Sequence, residues 1–165
     1  MVLLNALSRE FEMVQGQVTQ SEGTKVASIL AMNFALIKRK LMDPIEGKGW
    51  TAAKANEVEA EYKRFLILNM KHPKDRVVPS DDVDDFWHQH ILDTRRYPED
   101  CQAIFGYFFH HYPYFGMLGD QAELVAAAQL SAALYQREFG ETSSNMSTAG
   151  CNGGNSRCRN CNGTR

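Results

Sequence analysis

No uninterrupted apolar run in this chain approaches the roughly 20 residues a helix needs to cross a bilayer, so no membrane span is expected. There is no basic excess either. The 18 Lys and Arg against 20 Asp and Glu leave a formal charge of -2, too little positive charge to neutralise a phosphate backbone, and nucleic acid is not expected as a partner. The first ten residues, Met1-Val2-Leu3-Leu4-Asn5-Ala6-Leu7-Ser8-Arg9-Glu10, lack the basic start and long apolar core of a secretion signal. The expected location is therefore the cytoplasm. No Gly-rich phosphate loop stands at a strand-to-helix turn, and no Ser or Cys sits in a recognisable nucleophile setting, which argues against phosphoryl transfer and serine hydrolysis. Cysteine is scarce in the body of the chain: of four, Cys151, Cys158 and Cys161 lie near the C-terminus and only Cys101 falls inside an apolar segment. In a reducing compartment these are thiols or metal ligands before they are disulfides. Alternation of β-branched residues is nearly absent, so strands are not expected.

What is present is helical periodicity over most of the chain to about Gly140, with 44% hydrophobic residues in a 165-residue chain, enough for one domain with a real core. The expectation is an all-α fold, a single compact bundle of about six helices over residues 1–140, followed by a flexible Gly/Asn/Cys-rich tail over 141–165. Leu3 to Val18 suits a first amphipathic helix. Val26, Leu30, Phe34, Ile37 and Leu41 build one apolar stripe of a second, ending before Asp43-Pro44. Thr51 suits the N-cap of a third, which ends near Met70 before His72-Pro73. Ser80 suits the N-cap of a fourth, with Asp81 and Asp82 complementing the positive end of its dipole. Pro98 places a break near Tyr97 and the start of a fifth helix that runs to about His111. Asp120 and Glu123 have the spacing of a capping box for a last helix stopping at Gly140. The tail offers almost no apolar surface to offset the entropy of ordering.

The chemistry concentrates in Asp84-Asp85-Phe86-Trp87-His88-Gln89-His90-Ile91-Leu92-Asp93, which holds two of the five histidines. On a helical wheel His90 falls in the buried stripe, with Asp93 near enough to reach its ring. His88 falls on a charged edge between Asp84, one turn earlier, and Arg95. If the fourth and fifth helices form an antiparallel hairpin, His111 approaches Asp84 and His88. Asp84, His88 and His111, with His90 as a further candidate, then supply the imidazole and carboxylate mix of a zinc or iron centre, and a divalent metal is the expected cofactor. A coordination position left open would lower the pKa of a bound water. Taken alone, His90 reads better as a core histidine with a satisfied hydrogen bond, and Asp84 as an ordinary helix-surface partner of His88. Cys101 reads as packing sulfur. The tail spacing Cys151-x6-Cys158-x2-Cys161 supplies one C-x2-C, half of a zinc site.

Gly49-Trp50, Val78-Pro79-Ser80, Asp84-x2-Trp87-His88-x-His90-x2-Asp93-Thr94, Tyr97-x2-Asp100-Cys101 and Phe105-Gly106-x3-His110-His111-Tyr112-Pro113-Tyr114-Phe115-Gly116 together resemble the bacterial branch of the glycine-rich domain-containing protein-like family, over about residues 49–140. The resemblance implies a helical domain marked by Trp87, His88 and His90, then Tyr97, Asp100 and Cys101, with a Gly-rich C-terminal extension. It brings no established activity. Three functional classes follow: a metal-binding helical protein using Asp84, His88, His90 and His111; an interaction module in which the His/Asp cluster is a structural polar network and the tail or Tyr112 to Phe115 docks a protein or peptide; and a carrier whose Cys-rich tail another enzyme modifies.

Overall fold

The computed structural model describes residues 22–140; the helix expected over Leu3 to Val18 and the tail with its three cysteines lie outside the described residues. Among the described residues there are six helices and no strand: α1 (22–31), α2 (Ala35–Met42), α3 (Ala52–Lys71), α4 (Asp81–Leu92), α5 (Arg96–Ile104) and α6 (Gln121–Phe139). None of them is long and apolar enough to cross a membrane.

α3 is the central element. It packs against α2, α4 and α6, while α4 also packs against α2 and α5. Its burial explains its position: Val58, Tyr62, Phe65, Leu66, Ile67 and Leu68 are all buried, so the apolar surface extends well beyond one stripe and needs cover on several sides. The Thr51 hydroxyl accepts from Lys54 N at 3.2 Å and opens this helix as its sequence predicts. At the heart of the core Phe34 meets Tyr62, Phe86 and His90 edge-on, with ring centroids 5.5, 5.5 and 5.1 Å away.

The stripe from Val26 to Leu41 predicts one helix, and the chain forms two. Met32 N closes a turn on Ile29 O at 3.2 Å, and the Asn33 side chain then accepts from Ala35 N at 2.9 Å, restarting the helix as α2. The break lets Ile29 and Phe34, five positions apart and off a common helical face, both reach full burial, while Leu30 from the expected stripe stays 55% exposed. Arg96 Nη1 donates to the Asn33 carbonyl at 2.5 Å, tying the break to α5.

α4 begins where expected, on Ser80, whose hydroxyl accepts from Val83 N at 3.4 Å. Lys54–Asp82 at 2.5 Å and Lys48–Asp85 at 2.6 Å fasten its N-terminal end to α3 and to the loop before α3. α5 ends at Ile104, well short of the expected His111. Its last amides, Phe105 N to Cys101 O and Gly106 N to Gln102 O, complete the final turn, and Gly106 then takes a left-handed φ of +80° that turns the chain out of the helix. Residues 107–112 therefore return along α4 as irregular chain.

α6 stops at Gly140, as predicted, with φ +70°. The capping box expected at its start does not form. Asp120 makes no cap bond to α6; its Oδ1 instead accepts from Gly116 N at 3.0 Å and Leu118 N at 3.1 Å, organising the loop before the helix, and these backbone donors hold its carboxyl below the usual range.

Candidate metal centre

Asp84 and His88 lie one turn apart on α4, which places both side chains on the same face. The third member comes from the irregular segment after α5. His111 Nε2 is 2.8 Å from Asp84 Oδ1 and 3.2 Å from His88 Nε2, and His88 Nε2 is 3.6 Å from Asp84 Oδ2. One donor atom from each residue falls within 4.8 Å of the other two. His111 is held inward, its side chain 15% exposed against Trp87 at 4.6 Å between centroids, while His88 is 46% exposed and leaves one side of the cluster open to solvent.

The contacts within the cluster depend on which ring nitrogens carry protons. A ring nitrogen carries a proton or a lone pair, never both. With His111 Nε2 donating to Asp84 Oδ1, His88 Nε2 faces it at 3.2 Å either as a lone pair or as a second N–H turned to Asp84 Oδ2, 3.6 Å away. With both Nε2 atoms bare, two imidazole lone pairs and a carboxylate converge, which is a donor set a cation takes up. The separations also suit an ion: four donors about 2.0–2.1 Å from a tetrahedral zinc lie about 3.3 Å apart.

His90 is elsewhere. Only 1% exposed, it uses both ring nitrogens: Nδ1 meets the Tyr62 hydroxyl at 2.8 Å and Nε2 meets Asp100 Oδ2 at 3.0 Å. Asp100 in turn accepts from Arg96 Nε at 3.0 Å. Burial pulls the His90 pKa below its ordinary value, although the Asp100 charge and hydrogen bond oppose it. The carboxylate facing this ring is thus Asp100 on α5, not the expected Asp93, whose side chain accepts from Arg96 N at 3.2 Å. Asp85, which shares Asp-x-x-His spacing with His88, pairs with Lys48. His72 caps α3 and meets Glu138 at 3.2 Å, and His110 is exposed against Phe108.

Sequence reasoning found Asp84, His88 and His111 but missed what holds them. Trp87 Nε1 donates to the Tyr97 hydroxyl at 2.9 Å, and that hydroxyl donates to the Phe109 carbonyl. Trp87 also stacks on Phe109, with centroids 4.9 Å apart and ring planes 17° from parallel. Trp87 and Tyr97 lie on the core stripes of α4 and α5, so apolar periodicity accounts for them without revealing the polar link. Cys101, buried beside them, has its thiol pKa raised by burial.

Fold and site together define a class: an all-α protein carrying a two-histidine, one-carboxylate cluster built on α4 and the segment after α5. The chain belongs to the UCP032817-like family, whose match covers residues 24–129. This corrects the resemblance to the glycine-rich domain-containing family. The matched unit begins at α1 and ends within α6, so it includes the helices before residue 49 and none of the Gly-rich extension that the resemblance implied. Comparison with curated proteins and with solved structures gives no match.

Proposed function

We propose that the protein binds a divalent transition metal, zinc or iron, through Asp84, His88 and His111. The observation that carries this reading is the convergence of two imidazole Nε2 atoms and one carboxylate at 3.2, 2.8 and 3.6 Å, with one side open to solvent. Two histidines and one carboxylate are a donor set common to zinc hydrolytic sites and non-haem iron sites. Three protein ligands leave coordination free, and an ion held this way supplies Lewis-acid chemistry to whatever enters from the His88 side. Asp84 offsets part of the ion's charge, and Trp87 shields His111 from water on the inner side. The test is elemental analysis of protein purified without a histidine tag, repeated on His88→Ala and His111→Ala. Stoichiometric metal in the wild type, lost in both variants with helicity retained, supports the reading. A folded wild type that holds no metal and gains no stability from added zinc or iron overturns it.

A second reading is favoured by a different observation. Tyr112 and Tyr114 are 54% and 56% exposed, and Met117 and Leu118 on the same loop are more exposed still. Large apolar side chains grouped this way suit a docking surface for a protein or peptide. Here the polar clusters hold the scaffold and this loop, or the segment 141–165, makes the contact. Recovery of one partner with the full chain and its loss with Tyr112→Ser/Tyr114→Ser assigns the loop; loss only on truncation after Gly140 assigns the segment beyond it.

A further inference from the structure

We infer that Tyr97 is a positioning residue for the metal centre, acting through the backbone of Phe109 to set where His111 stands; this rests on the metal reading above. His111 is the one member of the cluster not carried by a helix, so its position depends on how residues 107–111 are held against α4. The segment is gripped at one point. The Tyr97 hydroxyl donates to the Phe109 carbonyl, Trp87 Nε1 donates to that same hydroxyl at 2.9 Å, and the Phe109 N–H bonds the Cys101 thiol. The Phe109 ring lies on Trp87 and also meets Phe105, with centroids 4.9 and 4.7 Å away. Two residues further on, His111 meets the other part of the Trp87 surface at 4.6 Å and reaches Asp84.

The parts have separate effects. Stacking on Trp87 fixes the height of the segment above α4 but lets a flat ring slide along its partner. The hydroxyl-to-carbonyl bond is directional and removes that freedom. Tyr97 itself has no latitude: it is 2% exposed, edge-on to His90 at 4.9 Å and to Phe108 at 5.3 Å. The chain Trp87–Tyr97–Phe109 therefore transfers the rigidity of the packed α4–α5 pair to an otherwise irregular segment, much as groups behind metal ligands orient them.

The experiment is cobalt titration of the full chain, read by visible absorption and by competition with a chelator. Tyr97→Phe keeps the ring and deletes the hydroxyl. Cobalt binding about 10- to 100-fold weaker than in the wild type, with altered band intensities and a cooperative melt of the metal-free variant, supports the inference. A folded variant with wild-type affinity and spectrum overturns it, because loss of stability alone does not change the ligand field of protein that is folded. If Tyr97→Phe does not fold in buffer, wild type and variant are compared in sucrose, which favours the folded state, with the same two outcomes. A wild type that takes up no cobalt overturns the metal reading and this inference with it, and so is distinct from a normal wild type paired with an unaffected variant.

Discussion

The Nε2 atoms of His88 and His111, twenty-three positions apart in sequence, face each other at 3.2 Å with the Asp84 carboxylate beside them. A hydrogen bond between the two rings needs one protonated and one bare nitrogen, whereas two protonated nitrogens each have an Asp84 oxygen to face. His111 is fixed from two sides, by the Trp87 ring against its face and by its 2.8 Å contact with Asp84.

Removal of a ligand sets the first expectation. Asp84→Asn keeps the shape and loses the charge, and metal affinity should fall by at least the ~10–100-fold that changes behind the ligands typically cause. Isothermal titration with zinc at fixed pH measures this. Equal affinity in wild type and Asp84→Asn counts against Asp84 as a ligand.

His90 should behave in the opposite way. His90→Ala leaves the Tyr62 hydroxyl without its ring partner in the core and removes one partner of Asp100, so the fold should lose about 2–4 kcal/mol. Metal content per folded molecule should stay at the wild-type level. Urea denaturation with parallel metal analysis separates the two effects, and metal loss at unchanged stability would reverse the assignment.

Acid should loosen the contact between α3 and α6. Glu138 hydrogen-bonds Lys71 at 2.8 Å, and that bond is the main cause holding its carboxyl below the ordinary value of 4.5. A carboxylate with a depressed folded pKa contributes stability that is present above 4.5 and is lost as pH falls through the folded value. Glu138→Gln should cost about 0.5–1 kcal/mol at neutral pH, with the difference from wild type closing below pH 4.5. Denaturation midpoints across pH 3–7 check it, and a pH-independent difference would show that the charge is not what matters.

Backbone conformation at the end of α5 makes a further prediction. Gly106 has φ +80° and open space where a Cβ would stand, so Gly106→Ala tests backbone strain without a clash. A cost of about 1–2 kcal/mol is expected. Metal affinity should fall with it if relaxation of the turn shifts His111. Crystallography of the variant shows whether the 107–111 segment has moved.

Helix content, the caps at Thr51 and Ser80, the stop at Gly140 and the shared face of Asp84 and His88 all follow from local rules: apolar spacing, side-chain oxygens at helix starts and a glycine at a helix end. Where local rules competed with packing, packing prevailed. The 26–41 stripe broke because Ile29 and Phe34 could not both be buried from one straight helix, and Asp120 spends its Oδ1 on the loop amides of Gly116 and Leu118 instead of capping α6.

The candidate centre divides along the same line. That α4 carries a carboxylate and an imidazole one turn apart is a property of the sequence, because i,i+4 spacing on a helix needs no tertiary context. That His111 reaches them from an irregular segment rather than from a helix, and that the inward-facing His90 meets Tyr62 and Asp100 instead of Asp93, was decided only by the fold. The early exit of α5 at Gly106 takes residue 111 off the helical wheel, and its location is then set by long-range contacts, Tyr97 on the Phe109 carbonyl and Trp87 on two rings, that no sequence period encodes.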